Sequence, residues 1–236
     1  MKKLLSIIIV VCATTTLFAQ SQSLGVQLAF SEFLLRQNSA LNTKKLDQTT
    51  ALNGGKIGII YDATLIKGFG FTLGLNYGLS GVSTQWPSAT QHGDTRTRTI
   101  AHTLELPIDW QYKFEIAKKT WIIVYTGPTI QYNFRFQETT YTKTWDDTKH
   151  NWVINSNSVD HYTTDSDADG IRDYSPLNIT WGLGAGFQYK NYYLRGGYDF
   201  GIYSHYRDAQ NNISDYRNRA RLDQWNIRIG FYFLNF

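Results

Sequence analysis

From residue 69 to residue 80 the chain alternates without a break: Phe69, Phe71, Leu73, Leu75, Tyr77 and Leu79 against Gly70, Thr72, Gly74, Asn76, Gly78 and Ser80. Alternate side chains of a strand point to opposite faces. The segment therefore predicts a strand with one wholly apolar face and one small, polar, glycine-rich face. A soluble sheet buries such an apolar face under a second layer, whereas a membrane barrel turns it to lipid and keeps the polar face inside.

The same period recurs along the chain. Before this strand it predicts strands over residues 23–33, where Leu24, Val26, Leu28 and Phe30 alternate with Gly25, Gln27, Ala29 and Ser31, and over 56–65, where Ile57, Ile59, Tyr61 and Ala63 oppose Gly58, Asp62 and Thr64 and Ile60 breaks the pattern. After it come residues 100–112, with Ile100, His102, Leu104, Leu106, Ile108, Trp110 and Tyr112 on one face. Pro107 lies on the other; it cannot donate a ladder bond, so a bulge or local edge is expected there. Further strands are predicted over 121–136, 177–189, 192–203 and 224–236, which makes eight.

The connections alternate too. Those after the second, fourth and sixth strands are short, and those after the first, third, fifth and seventh run to roughly 20 residues or more, the longest about 40. Short turns at one end and long loops at the other are the pattern of an outer-membrane barrel, with periplasmic turns and external loops. The prediction is an all-β fold: an eight-stranded antiparallel up-and-down transmembrane β-barrel with both termini periplasmic. Trp110, Tyr112, Tyr189, Tyr192 and Phe236 fall near turn-side strand ends, where an interfacial girdle belongs. The competing architecture is a soluble sandwich or lipocalin-like barrel, which would carry the apolar face inside and expose the Gly, Asn, Asp and Arg set.

The first 19 residues change the picture next. Lys2 and Lys3 precede an apolar run over residues 4–11 and a small-residue exit ending at Ala19, the pattern of a cleaved secretory signal. This divides the chain into a signal peptide, 1–19, and a barrel domain, 20–236. Cys12 lies within the signal and lacks a lipoprotein context, so the mature chain of about 217 residues has neither a disulfide nor thiol chemistry. Without Lys2 and Lys3 the formal charge falls from +4 to +2, too small to argue for nucleic acid. No other apolar run is long enough for a membrane helix, which leaves a closed barrel as the spanning option.

With the apolar face outward, the lumen receives Asp62, Glu105, Asp109 and Asp199 together with Arg135, Arg195 and Arg228. Eight strands enclose a space that side chains can fill, and buried charges survive when paired, so a plugged lumen is expected; a narrow conduit is the alternative. In the longest loop, Asp165, Asp167, Asp169, Ile171 and Asp173 have the D-x-D-x-D-G-x-x-D spacing that wraps oxygens around a hard cation, with Ile171 offering its carbonyl. Pro176 stands where an EF-hand has Glu, so the segment is closer to a thrombospondin type 3 calcium repeat. Calcium is its candidate cofactor, and a solvated acidic turn is the alternative. His92 with Asp94, and His161 with Asp160, are the neighbours an enzyme would need, but no nucleophile motif accompanies them and no enzymatic activity is expected. Arg217, Arg219 and Arg221, with Arg96 and Arg98, are candidate contacts for lipopolysaccharide phosphates.

HTLELPIDWQYKF in the fourth strand, IIVYTGPTIQY in the fifth, ITWGLGAGFQYK in the sixth, YYLRGGYDFGI in the seventh and the closing IRIGFYF together resemble the PorT-like outer-membrane β-barrel family, relatives in shape of the OmpX-type small barrels. The terminal Phe236 is similar to the aromatic end by which such barrels are recognised for assembly. The resemblance covers nearly the whole mature chain and implies fold and location; some members are implied in type IX secretion and gliding, and the family offers no catalytic motif. The sequence thus leads to a monomeric outer-membrane protein, in contact with lipid and lipopolysaccharide, that works through its external loops as a structural or interaction module or as part of a secretion or envelope assembly. A rim-active enzyme or a narrow conduit is the alternative function.

Overall fold

A computed structural model describes residues 20–37, 51–83, 94–146, 148–163, 174–202 and 220–236. Its strands are β1 (Ser21–Gln37), β2 (Ala51–Ile66), β3 (Phe69–Ser83), β4 (Asp94–Ala117), β5 (Thr120–Asp146), β6 (Asn151–Asp160), β7 (Leu177–Tyr189), β8 (Tyr192–Gly201) and β9 (Ala220–Asn235). Every pairing is antiparallel. The ladder runs β1–β2–β3–β4–β5–β7–β8–β9 and returns to β1, so eight strands form a ring. The ninth, β6, stands outside that ring and pairs with the far half of β5.

The period-2 pattern sets which face is which. Val26, Leu28 and Phe30 on β1, Ile57 and Ile59 on β2, and Ile227 and Ile229 on β9 are exposed, each by about half of its surface, while Gln27, Ser31, Asp62, Asn226 and Arg228 are buried. The apolar face is the outer one, and the soluble alternative with an apolar interior is excluded. Ile60, which breaks the alternation, faces inward and packs with Tyr193 and Tyr232. Ala63, expected on the outer face, is fully covered and precedes a register shift between Thr64 and Ile66.

Aromatic residues gather in two bands. Near the short turns Tyr112 meets Phe114, and Tyr192 meets Phe231, at ring separations of 4.6 and 4.9 Å. Towards the other end Tyr77, His102 and Phe134 cluster, with a 2.7 Å hydrogen bond between the Tyr77 hydroxyl and His102 Nδ1, and Phe30 lies 5.4 Å from Trp225. Paired girdles of this kind bound the apolar band of membrane barrels.

At Pro107 no bulge forms. Ladder pairs are missing at Gly74 and Leu75 between β3 and β4 and at Ile108 and Asp109 between β4 and β5, but the register is the same on either side of each gap, and Pro107 stays opposite Thr129. A Cβ on Gly74 would come within 2.8 Å of the proline ring, so glycine admits the close approach. Three features depart from the sequence reading. β4 reaches Ala117, so its connection to β5 is only Lys118 and Lys119. β4 and β5 also extend outward, to 24 and 27 residues, through segments expected to be loop. Roughly 10 residues suffice for a strand to cross a bilayer, so these two rise well beyond it and carry β6 as a three-stranded arm.

Candidate functional site

The lumen is built from the inward positions of all eight ring strands. At the short-turn end Asp62 is the hub. Its Oδ1 accepts from Lys113 Nζ and Gln111 Nε2, each at 2.9 Å, and its Oδ2 accepts from the Tyr232 hydroxyl at 2.8 Å and from Arg195 Nη2 at 3.1 Å. Arg195 is fully buried, donates also to Gln111 Oε1 at 2.9 Å, and lies over the rings of Tyr193 and Tyr125. In the middle Arg228 pairs with Asp109 at 3.3 Å, and Asp199 Oδ2 accepts from the amides of Gln224 and Asn226 at 2.6 and 3.0 Å. Towards the outer end Lys56 Nζ donates to Glu105 Oε1 at 2.6 Å and to Gln224 Oε1 at 2.8 Å, and Gln131 and Asn178 continue the chain of amides.

Above these polar layers sits an apolar cap: Phe33, Leu52 and Leu222, with Val82 and Phe136 packed against them. Interior spaces of about 20 Å³ under the cap and about 10 Å³ beside Lys56 and Arg228 are each of the order of one water molecule. Among the described residues, the polar layers and the apolar cap occupy the barrel interior in series.

Of the lumen residues read from the sequence, Asp62, Glu105, Asp109, Asp199, Arg195 and Arg228 are buried there. Arg135 is not. It is exposed and donates to Gln137, because the β4–β5 register shifts between His102 and Thr103 and skips Phe134, which turns the following residue outward. Lys56 and Lys113 supply the missing positive charges. Each lies on the polar phase of its strand: Lys56 opens the predicted second strand, and Lys113 is reached by extending the alternation of the fourth by one residue.

At the outer end Asp160 closes β6 and His161 opens the turn that follows. Asp160 Oδ1 accepts backbone N–H bonds from Tyr162 at 3.1 Å and Phe136 at 3.4 Å, while His161 Nε2 stands 3.4 Å from Glu138 and its ring packs tilted against Phe136 and edge-on to Tyr174. Burial and the neighbouring Asp160 carboxylate push the Tyr162 phenol upward. This is a packed corner that ties the base of the arm to the cap. Arg96 donates to Ser83 Oγ at 2.9 and 3.1 Å, and Arg98 and Arg221 are exposed on the same end. His92, Arg217, Arg219 and the calcium-type residues Asp165, Asp167, Asp169, Ile171 and Asp173 lie outside the described residues.

A ring of antiparallel strands with lipid-type side chains outside, two aromatic girdles and a charge-paired, plugged interior defines an integral outer-membrane β-barrel. The chain belongs to the outer membrane protein beta-barrel domain family, whose profile matches residues 18–207. No curated protein sequence matches it. Among solved structures it is similar to Ail, the attachment invasion locus protein of Yersinia pestis, in complex with the heparin analogue sucrose octasulfate, at 8% identity and a TM-score of 0.40 over 90% of this chain and 99% of that one. It is also similar to Neisserial surface protein A, at 10% identity and 0.37 over 90% and 99%. The N-terminal barrel of Pseudomonas aeruginosa OprF gives 13% and 0.30 over 92% and 100%.

Proposed function

We propose that this protein is a non-catalytic interaction module of the outer membrane, in which the plugged barrel is the anchor and the arm formed by β4, β5 and β6 is the working surface. The observation that carries this reading is the arm itself: three strands rise beyond a ring whose lumen is filled. β6 has a strand neighbour on one side among the described residues. Its central residues, from Val153 to Ser158, carry neither the lysine nor the proline that commonly blunts a sheet edge. Such an edge receives an extended segment of another protein by adding its backbone to the ladder.

In this reading the signal peptide directs the chain to the envelope, the short turns and both termini face the periplasm, and the barrel is a monomer. Arg96, Arg98 and Arg221 meet lipopolysaccharide phosphates, and the loop around Asp165 holds calcium. The partner is an envelope or secretion-system protein, in keeping with the PorT-like resemblance. A photo-crosslinking residue at Asn155 or Asn157, in cells that make the full chain, tests the arm. A discrete protein adduct at these positions, missing when the residue is placed at lipid-facing Ile229, is the expected result. The same products from all three positions would overturn the assignment.

A further inference from the structure

The three two-residue connections of the ring lie at one end, and each presents lysine: Lys67 before Gly68, Lys118 with Lys119, and Lys190 before Asn191. At Lys67, Lys119 and Lys190 the backbone is left-handed, with φ of 46°, 61° and 52°. Glycine or asparagine takes that conformation at less cost, so turn geometry does not by itself account for lysine at all three sites. These lysines border an open vestibule of about 940 Å³, with Lys113 among its inner residues and Trp121 and Gln188 in its wall. Glu115 is the one acidic side chain among the described residues that line it.

The floor adds to the positive charge. Asp62 is the single carboxylate paired with both Lys113 and Arg195, whereas deeper in the barrel Arg228 stands near two carboxylates, Asp109 by direct pairing and Asp199 through Asn226. By formal charge, the vestibule floor thus holds two cations to one carboxylate, and the next layer holds one arginine to two carboxylates. Lysine supplies compact charge without the planar fork by which arginine matches a carboxylate, which suits a tetrahedral anion approached from several sides. The space greatly exceeds one phosphate ion, so it has room for whatever carries the group.

We propose that this turn-end vestibule is a binding site for a phosphate group, held by Lys67, Lys119 and Lys190 at the rim and drawn by the positive floor at Lys113. The group is supplied either by a phospholipid headgroup or by a soluble phosphate compound. The test uses the full mature barrel in zwitterionic detergent, titrated calorimetrically with pyrophosphate and examined by native mass spectrometry for retained phosphatidylglycerol against phosphatidylcholine. The variant is Lys67→Asn, Lys119→Asn and Lys190→Asn combined, since asparagine accepts the left-handed backbone; a heat-dependent gel shift confirms that it folds. The control is Lys143→Asn with Lys149→Asn on the arm, which removes charge at the other end. Loss of the three rim pairings is expected to weaken binding by about tenfold or more and to leave the control unchanged. Pyrophosphate binding identifies a soluble source, and selective phosphatidylglycerol retention alone identifies the headgroup. Equal behaviour of the parent and the triple variant towards both probes, or an equal loss in the arm control, overturns the proposal.

Discussion

Asp62 is the residue on which the short-turn half of the lumen depends. Four donors from three other strands converge on its two oxygens, and Arg195 is wholly removed from solvent. Asp62→Asn keeps the shape and removes the charge, leaving Lys113 and Arg195 buried without a counter-ion. Breaking a buried pair from one side costs about 3–5 kcal/mol, so urea unfolding of the variant should show a clearly lowered midpoint, and a midpoint equal to the parent's would show that the cluster contributes little. Most of this chemistry was legible in the sequence, because Asp62, Asp109, Arg195 and Arg228 all sit on the polar phase of their strands, opposite the apolar one. Arg135 was misplaced for a local reason. One skipped residue in a ladder exchanges the two faces beyond it, and the shift beside Phe134 leaves no mark in the residue pattern.

At the scale of the element, the arm is the part of the fold that sequence periodicity could not reveal. Asn151–Asp160 reads NWVINSNSVD, and the outward half of β5 reads ETTYTKTWD. Neither faces lipid or a core, so both phases are largely polar and the contrast that marks a strand is missing. Within the ring the contrast is strong, which is why the turn at Lys190 and Asn191 and the strands around it were placed from the pattern alone. Because β6 contributes nothing to ring closure, the arm is separable. Glu138 and Val159 are register partners, so replacing residues 139–158 by Asn-Gly should close a tight hairpin and leave the barrel intact. The truncated chain is expected to keep its heat-modifiable migration in detergent gels. A truncated chain that migrates identically with and without boiling would show the arm to be part of the barrel's stability.

For the whole molecule the question is whether anything passes through it. Three polar layers and an apolar cap stand in series, and the interior spaces are about 20 and 10 Å³. Planar-bilayer recording of the parent barrel should therefore find no stable, sizeable conductance. Phe33→Ala combined with Leu222→Ala opens the cap but leaves the Lys56–Glu105 and Arg228–Asp109 layers beneath it, and the same silence is expected. A persistent open level in the parent would contradict a plugged lumen. The alternation of short and long connections points to the barrel, and the strand count with the inward charges points to its filled interior, whereas the cap is hidden because Phe33 ends a predicted strand and Leu52 and Leu222 fall outside predicted strands, where alternation gives no sign of which side they take.

The cap also bears on the order in which the barrel is made. Phe33 comes from β1, Leu52 from β2 and Leu222 from β9, so its members lie at opposite ends of the chain, and the Tyr232–Asp62 bond joins residues separated by 170 positions. Contacts between such distant segments form late, after the entropy of closing the intervening chain has been overcome. Neither can exist before β9 has zipped onto β1. The stopper that seals the lumen is thus also a latch on the last seam, and a half-inserted chain would remain both open and unfastened until its final strand arrives.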